Sequence, residues 1–261
     1  MIYKIAFASA ISVFNLSCSI KSYQPEPSVE VAGKKRYEAI ILSKKYFTIS
    51  YNPEYKMANW VKYTLDEKNL RNKSAKRNNK FYSDPELLKM GHSSMAPNDL
   101  VGSDFDRGHL APSADFAWSQ EANNATFVMS NITPQHKDLN RQAWRYLEDR
   151  IRNWACTEEQ VRIITGPIFE VPLKQHYSGV KIPSRFFKIV LDITPPRKSI
   201  AFIYYQSDKD DVYKLRVVTK KAVQELVDFQ YNDEALFLGE TYPDSDLSEW
   251  IETKCSQARE K

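Results

Sequence analysis

Residues 137–154 carry an amphipathic helical pattern, which constrains the fold more than any other segment of the chain. Apolar residues recur there at spacings of three and four, so they lie on one face of an α-helix. These residues are Ala143, Leu147, Ile151 and Trp154. Asp138 is a residue type that favours the N-cap, so we expect the helix to begin near it. The polar residues Asn140, Glu148 and Arg152 follow one another along a neighbouring edge of this helix.

Short segments rich in β-branched and aromatic residues lie on both sides of this helix and predict strands. Upstream of the helix they are 37–42, 46–51, 60–65 and 126–132, and downstream of it they are 161–165, 186–193 and 199–206. We expect Pro134 to stop the last upstream strand and Gly166-Pro167 to form a turn after the first downstream one. A second helix is predicted over 220–229, where apolar residues again fall on one side.

The composition indicates a globular domain with a moderately basic surface. The chain has 261 residues, of which 42% are hydrophobic, enough to form one sizeable core and an N-terminal appendage. The formal net charge of +4 suits a polyanionic partner without proving one. The three cysteines, Cys18, Cys156 and Cys255, form no Cys-x-x-Cys pair, which argues against a thiolate zinc site. Cys156 and Cys255 could form a disulfide, but only if the protein is exported.

The first 17 residues have the pattern of an export signal, with one lysine followed by a short apolar run. The run is too short to span a bilayer comfortably, which favours a removable signal over a permanent anchor. A buried N-terminal strand or helix is the alternative. Small residues precede Cys18, as in a bacterial lipoprotein cleavage box, although Asn15 replaces the usual aliphatic residue. We therefore expect a lipidated Cys18 at the new N-terminus, with ordinary signal cleavage as the alternative.

This leader divides the chain into three parts. Residues 1–17 form the signal peptide, residues 18–36 form a proline-containing tether, and residues 37–261 form the domain. Lipidation would hold the domain at a membrane surface without a spanning helix. The sequence thus predicts an exported protein, which is a periplasmic or cell-surface lipoprotein if Cys18 is lipidated and a secreted protein otherwise.

A basic segment over residues 62–80 precedes the central region of the domain. It holds seven positive and two negative side chains. For most of these residues a solvated loop is a sufficient explanation. The alternative is a rim that grips phosphates, where each neutralised phosphate would add salt-dependent affinity. In such a rim Arg77, Lys73 and Lys76 would be the substrate-binding residues.

The segment Asp106-Arg107-Gly108-His109 lacks helical periodicity and places a histidine among charged residues. Gly108 is expected to relax the backbone before the histidine, and Pro112 excludes a strand or helix interior just after it. His109 should therefore lie at a strand edge or turn, where its imidazole can face a cleft. Taken alone, a single histidine is usually structural or merely exposed. The polar helix edge could likewise hold only an ordinary Glu–Arg ion pair.

Taken together, residues spread over more than a hundred positions resemble one family. The matching positions are 106–112, 114–115, 129–135, 140, 144–148, 152, 165–169, 182–183 and 187–190, with 60–61 and the Arg77-x-x-x-Phe81-x-x-Asp84 pattern upstream. This ordered set resembles the DNA/RNA non-specific endonucleases, which include the Serratia-type nucleases and endonuclease G in the ββα-metal superfamily. The resemblance extends from about residue 37 to residue 240.

The resemblance implies an α+β fold, with a central, mostly antiparallel β-sheet flanked by helices and a ββα-metal finger at the active site. It also implies a metal-dependent enzyme that hydrolyses the phosphodiester bonds of DNA and RNA without sequence preference and leaves 5′-phosphates. The implied cofactor is Mg²⁺, with Mn²⁺ as a substitute. Relatives are often homodimers, so a homodimer is expected as well.

The same resemblance implies a role for each matching residue. His109 would be the general base, because imidazole ionises near neutral pH. Asn140 would be the direct ligand of the metal, and Glu148 would contact the metal through water. Arg77 and Arg152 would stabilise the charge that builds up on the phosphate during the reaction.

Three further residues have supporting roles by the same resemblance. Asn131 would support the site, and Asp106 and Arg107 would position other groups, with direct chemistry as the alternative for both. The implied catalytic set is therefore His109, Arg77, Glu148, Arg152, Asn131 and Arg107. Asp104 stands where relatives often carry glycine, and it would either weaken substrate binding or point to solvent.

Other functions are open at this point. A nucleic-acid-binding protein could keep the fold without activity, although His109, Asn140 and Glu148 are all present. A purely structural lipoprotein would leave the ordered motif set without a purpose. The related HNH branch usually brings further histidines near the metal, whereas here only His136 lies close in sequence.

Overall fold

The computed structural model describes residues 38–208, 212–231 and 242–255. The predicted signal peptide at 1–17, the predicted tether at 18–36 and Cys18 lie outside these residues. Within the described part of the chain, no helix combines the length and the apolar character needed to cross a membrane.

Strands make up most of the regular structure. The strands are β1 (Ile40–Ser43), β2 (Thr48–Asn52), β3 (Met57–Asp66), β4 (Phe105–His109), β5 (Ile132–His136), β6 (Gln160–Ile168), β7 (Lys174–Gln175), β8 (Lys181–Ile182), β9 (Arg185–Asp192), β10 (Lys198–Tyr205) and β11 (Val217–Val218). The α-helices are α1 (Glu67–Arg71), α2 (Pro85–Lys89), α3 (Gln120–Ala125), α4 (Trp144–Ala155) and α5 (Lys220–Tyr231).

Seven of the described strands form one sheet in the order β1-β2-β3-β6-β9-β10-β11, and neighbouring strands run antiparallel. Strands β4 and β5 form a separate antiparallel ribbon that is followed along the chain by α4. The predicted α+β fold, with a central antiparallel sheet flanked by helices, is confirmed.

Helices cover both faces of the large sheet, because successive residues of a strand point to opposite sides. In β9, Phe186 and Val190 join the apolar core that also contains Trp144 of α4. Phe187 and Ile189 join a second core, which contains residues of α5. The sheet therefore separates α4, which carries several of the predicted site residues, from α5.

The predicted long helix begins with a wider turn than an α-helix. Leu139–Ala143 form a π-helical turn, in which backbone bonds span five residues, and α4 follows directly. Asp138 already has helical backbone angles and its side chain makes no capping bond, so the prediction of an N-cap there was wrong. Because Asn140 lies in the π turn, its angle to Glu148 is not that of a regular α-helix.

The strand predicted over 126–132 was also wrong. Met129–Asn131 form a 3-10 turn, and β5 begins at Ile132 and continues through Pro134 instead of stopping before it. Proline is tolerated because the ribbon has only two strands, so one edge of β5 needs no backbone donor. The apolar run before Ile132 is buried core, and such a run is easily mistaken for a strand.

The turn predicted at Gly166-Pro167 does not exist, because β6 passes through both residues and pairs there with β9. Strand β3 pairs with β6 only as far as Thr165, so Pro167 lies where β3 no longer requires a donor. A Cβ on Gly166 would lie 2.2 Å from the backbone oxygen of Asn59. The glycine therefore permits close strand packing.

A disulfide joins Cys156, which directly follows α4, to Cys255. Their Cα atoms are 5.6 Å apart, and 99 positions separate them along the chain. In the chain-entropy account, closing a loop of this length restricts the unfolded chain and stabilises the fold by about 4.7 kcal/mol. The bond also fixes the C-terminal segment to the end of α4.

Candidate active site

Strand β4 presents His109 as its last residue, paired with Ile132 of β5. The chain that leaves β4 is fixed by Asn131, whose side chain is fully buried. Its Oδ1 accepts a hydrogen bond from the Ala111 amide at 2.9 Å, and its Nδ2 donates to the carbonyls of Ala111 and Thr126. Asn131 thus shapes the backbone behind the histidine.

Gly108 is needed for a reason that differs from the expected one. It lies inside β4, and its backbone φ is not positive. Gly108 is therefore not needed to give the backbone conformational freedom. A Cβ at this position would lie 2.6 Å from the side chain of Gln135, which is itself buried. The close packing of β4 on β5 therefore requires glycine next to His109.

One cavity of about 510 Å³ gathers most of the predicted site residues. The predicted residues that line it are Arg77, Arg107, His109, Asn140, Glu148 and Arg152. Asn131 is buried behind the cavity, and Lys73 and Lys76 are exposed residues outside its lining. The structure therefore brings together the predicted base, the predicted metal ligands and three of the arginines.

The imidazole of His109 is held in an apolar setting. The ring is 8% exposed, and its centroid lies 5.5 Å from that of Phe81 and 5.0 Å from that of Phe127. Its Nε2 is buried and has no hydrogen-bond partner among the described residues. Burial, together with the positive charges of Arg77 and Arg107, lowers the pKa of His109 to about 3. The imidazole is therefore neutral and can accept a proton.

Asp106 sets the orientation of the side-chain amide of Asn140. The Nδ2 group of Asn140 donates to Asp106 Oδ2 at 2.8 Å, and Arg141 forms an ion pair with the same carboxylate at 2.7 Å. An ionised carboxylate only accepts hydrogen bonds, so the amide oxygen of Asn140 must face away from it. Burial opposes ionisation, but the bonds from Arg141 and Asn140 lower the pKa of Asp106.

A buried lysine lies behind Glu148. The side chain of Lys188 is fully buried, and its Nζ lies 3.8 Å from Glu148 Oε1 and 4.7 Å from the ring centroid of Trp144. That ammonium has no hydrogen-bond partner among the described residues. Burial raises the pKa of Glu148, and the charge of Lys188 opposes this shift. Lys188 lies in the matching segment 187–190, but sequence reasoning assigned it no role, although a charged residue within the apolar β9 segment was a visible signal.

Arg152 is anchored by two carboxylates that differ in burial. It forms ion pairs with Asp115, whose side chain is 3% exposed, and with Asp149, whose side chain is 56% exposed. The second oxygen of Asp115 accepts a hydrogen bond from the Tyr63 hydroxyl at 2.8 Å. Despite burial, Asp115 and Glu148 raise the pKa of Arg152. Asp115 belonged to the motif region, but nothing in the sequence paired it with Arg152.

Two other arginines of the cavity, Arg77 and Arg107, are held by neutral groups. Arg77 donates to the Ser113 hydroxyl at 2.5 Å and to Asn79 Oδ1 at 2.7 Å. The guanidinium carbon of Arg107 lies 4.1 Å from the ring centroid of Phe81. Among the described residues neither guanidinium forms an ion pair, although the charge of Glu148 acts on Arg77, so both can attract an anion.

Asp104, which departs from the family pattern, does not enter the cavity lining. Its side chain is 85% exposed and its carboxylate lies 3.7 Å from the ammonium of Lys137. It points to solvent, so the added negative charge is outside the site.

The donors in the cavity fit a hydrated Mg²⁺-type ion. Across the described residues, no group of three or more His, Cys, Asp or Glu side chains is placed to hold a metal ion. The fit therefore depends on the amide oxygen of Asn140 and the carboxylate of Glu148, which line the same cavity. Both are hard oxygen donors, and magnesium commonly keeps several waters beside one or two such ligands.

The two carboxylates on Arg152 allow a matched stability test. Asp115→Asn should lower the free energy of unfolding by about 3 kcal/mol, because it leaves a nearly buried guanidinium without its buried counter-charge. Asp149→Asn removes a partner that is 56% exposed, and exposed pairs contribute about 1 kcal/mol or less. Urea denaturation of both variants measures the difference. Equal losses would show that Asp115 does not anchor Arg152.

His109 should stay neutral across the physiological pH range. Its pKa of about 3 predicts ring NMR signals that do not titrate between about pH 8 and pH 5. The signals are assigned by their absence in His109→Gln. Because the pKa of His109 is lower in the folded protein than in the unfolded chain, the unfolded chain binds a proton at this residue more tightly. Wild-type stability relative to His109→Gln should therefore fall as pH drops from about 6.5 towards 3. Titration of this ring with a midpoint above 6 would contradict the proposed environment.

Comparison with known proteins places the chain in a family. The model of the DNA/RNA non-specific endonuclease family matches residues 30–236. A nuclease of Nostoc sp. is 35% identical over 182 residues, which are 69% of this chain and 64% of that protein. Mitochondrial endonuclease G of Homo sapiens is 33% identical over 167 residues, which are 59% of this chain and 54% of that protein.

The chain thus spans between about half and two thirds of the length of these relatives. A crystal structure of the EndoG/EndoGI complex resembles the fold with a TM-score of 0.68 and 20% identity, covering 78% of this chain and 89% of that one. Because the family model matches most of this chain, the chain belongs to the DNA/RNA non-specific endonuclease family.

Proposed function

We propose that this protein is a metal-dependent endonuclease that hydrolyses the phosphodiester bonds of DNA and RNA without sequence or sugar preference and leaves 5′-phosphates. One observation carries the proposal. A single cavity contains a neutral imidazole, an amide and a carboxylate suited to a hydrated cation, and anchored arginines. These groups are the ones that hydrolysis of a phosphodiester requires.

His109 would take a proton from the attacking water. The water oxygen forms a bond to phosphorus and the bond from phosphorus to the 3′ oxygen breaks. One fragment then leaves with that 3′ oxygen, which takes up a proton to become a hydroxyl, and the other fragment keeps the 5′-phosphate. The low pKa of His109 makes it a weak base in the free protein, partly because of Arg77 and Arg107. A phosphate bound between these arginines would offset their charge and raise that pKa, so the base would gain strength when substrate is present.

Asn140 would hold a Mg²⁺-type ion through Oδ1, and Glu148 would contact it through water; Mn²⁺ suits the same donors. When bound, this ion would neutralise charge on a non-bridging phosphate oxygen and on the leaving 3′ oxygen. Asp106 would keep the Asn140 oxygen turned towards the cation by holding its Nδ2 group. Lys188 would keep the Glu148 carboxylate in place from behind.

The arginines would bind the reacting phosphate. Arg152 is fixed by Asp115, and Arg77 is fixed by Ser113, so neither has to be ordered when charge develops on the phosphate. Lys73 and Lys76 lie outside the cavity and would attract the backbone of DNA or RNA. Contacts of this kind read phosphate and not base identity, which supports cleavage without sequence preference.

The purified domain should cut both supercoiled plasmid and RNA when Mg²⁺ is present and should stop cutting when EDTA is added. His109→Ala should lower the rate roughly 10²- to 10⁴-fold, the usual contribution of a general base. His176→Ala, which removes a half-buried histidine outside the cavity lining, is the matched control and should cut like the wild type.

Two outcomes of this assay count against the proposal. Absence of cleavage by the wild type, with DNA and RNA still retarded on a gel, would favour the alternative of an inactive nucleic-acid-binding protein of the same fold. Equal rates for His109→Ala and the wild type would remove His109 from the reaction. The intact set of His109, Asn140 and Glu148 supports the active enzyme.

We also propose that the protein is exported and tethered to a membrane through a lipidated Cys18. The apolar leader before Cys18 and the Cys156–Cys255 disulfide support this, because disulfides persist in oxidising compartments. The relatives named as mitochondrial show that family members also serve in other compartments. We propose a homodimer as well, because the family resemblance implies one.

Cys18→Ser should move the full-length protein from the membrane fraction to the soluble periplasmic or secreted fraction of a bacterial host. The physical reason is loss of the acyl chains that bind the bilayer. Ser19→Ala is the matched control and should remain in the membrane fraction. An unchanged distribution of Cys18→Ser would rule out lipidation at this residue.

A further inference from the structure

A second cavity adjoins the first within the described structure. It measures about 360 Å³ and shares with the first cavity four residues, which form the boundary between the two. These residues are Arg77, Arg107, Asn140 and Arg141. A phosphodiester placed on the boundary would therefore have one neighbouring nucleotide directed into the second cavity.

The walls that belong to the second cavity alone are mainly apolar. They are formed by Phe81, Pro97, Leu100, Val101 and Phe105. Phe105 and Phe81 are partly exposed, and Val101 at the rim is 64% exposed. A partly open hollow with one apolar wall and a row of arginines beside it suits a ligand with one flat apolar part and one anionic part.

Arg107 is placed to serve both parts of such a ligand. It follows Phe105 by two positions in β4, so both side chains lie on the same face of the strand. The guanidinium lies against the ring of Phe81, and its Nη1 donates to the carbonyl of Pro97 at 3.1 Å. Its plane is thus fixed at the boundary, where it can offer donors to a phosphate and a flat face to a base.

The cavity contains little that would distinguish one base from another. Its carboxylate, Asp106, already accepts bonds from Asn140 and Arg141. Asn79 also lines this cavity, and its Oδ1 accepts a bond from Arg77 at 2.7 Å. Most of the remaining contacts with a base would be apolar or stacking contacts, and these tolerate any sequence because every base has a π face. The volume lies at the lower end of the range for small-molecule sites, roughly 300–1,000 Å³, which suits one nucleoside.

We propose that this second cavity is a subsite that binds the nucleobase of a nucleotide adjacent to the scissile phosphate. The proposal rests on the proposed nuclease function and adds a requirement to it. Efficient cleavage needs a base on one side of the bond that is cut, although the identity of that base is unimportant.

An oligonucleotide with one abasic nucleotide tests this directly. Single-stranded DNA of mixed sequence is prepared with a tetrahydrofuran residue at one internal position and, for comparison, with the normal nucleotide there. End-labelled products are separated on a denaturing gel, so the cleavage rate at each bond is read separately. Bonds far from the abasic position serve as an internal control in the same lane.

Cleavage at one of the two bonds flanking the abasic nucleotide should fall roughly 5- to 150-fold, the range expected for loss of one stacked base. Distant bonds should be cut at the rate seen in the intact oligonucleotide. If both flanking bonds are cut within about twofold of the intact substrate, the subsite does not exist, although the nuclease function stands. If neither oligonucleotide is cut at all, the nuclease function fails and the subsite fails with it.

Two rim variants separate the subsite from general charge effects. Val101→Glu places a carboxylate at the mouth of the second cavity and should lower cleavage of the intact oligonucleotide several-fold. Ile251→Glu adds the same charge at a position that is 63% exposed and outside both cavity linings, and it should leave cleavage unchanged. Equal behaviour of the two variants would overturn the placement of the substrate.

Phe105→Ala tests the wall itself. The ratio of interest is the cleavage rate at the sensitive bond in the intact oligonucleotide divided by the rate at the same bond in the abasic one. In this variant the ratio should fall towards one, because the base has lost a surface to stack on. Circular dichroism and cleavage at distant bonds report whether the variant is folded. A ratio that stays as high as in the wild type would exclude Phe105 from the subsite.

Discussion

The carboxylate of Asp106 connects two parts of the site that the chain supplies separately. Strand β4 carries His109, whereas the helical segment after β5 carries Asn140, and 30 positions or more separate them in sequence. Asp106 lies in β4 and binds both Asn140 and Arg141 across this gap. The position of the proposed base relative to the proposed cation ligand therefore depends on this contact together with the pairing of β4 and β5.

Behind the cavity, charged residues are buried on the α4 side of the large sheet. Lys188 lies next to Glu148, and Asp115 lies next to Arg152, with little or no exposure to solvent. Buried ion pairs contribute little net stability because desolvation opposes the attraction. They do hold the cavity-facing partners in one orientation, and a site depends on such support from the residues around it.

Sequence reasoning predicted the main elements well, because their patterns reflect which side faces the core. The helix face with Leu147 and Ile151, the late strands and the final helix all lie close to their predicted bounds. The errors at Pro134 and Pro167 arose because strand edges depend on partners distant in sequence. Of the site, the residues that line the cavity could be named in advance only through the family resemblance, since no local pattern pairs His109 with the helix.

The side chains that support the site could not be found in this way. Side chains of β9 alternate between the two faces of the sheet, and Lys188 lies on the face that α4 covers. Its contact with the site can be inferred only when the position of α4 is known. Asp115 is recognised only when Arg152 is seen beside it. The π turn also escaped detection, since the apolar spacing of 143–154 continues regularly beyond it.

That π turn has a consequence for how the chain tolerates insertions and deletions. A π turn accommodates one residue more than the regular helix would, so it behaves as a single-residue insertion within the helix. Removing one residue from Leu139–Ala143 would restore α-helical spacing and rotate the preceding turn by about 100° relative to α4. Asn140 would then leave Asp106 while Glu148 stayed in place. Loss of a single codon here would therefore separate the two proposed metal ligands, and it would also move Leu139, which is buried in the core.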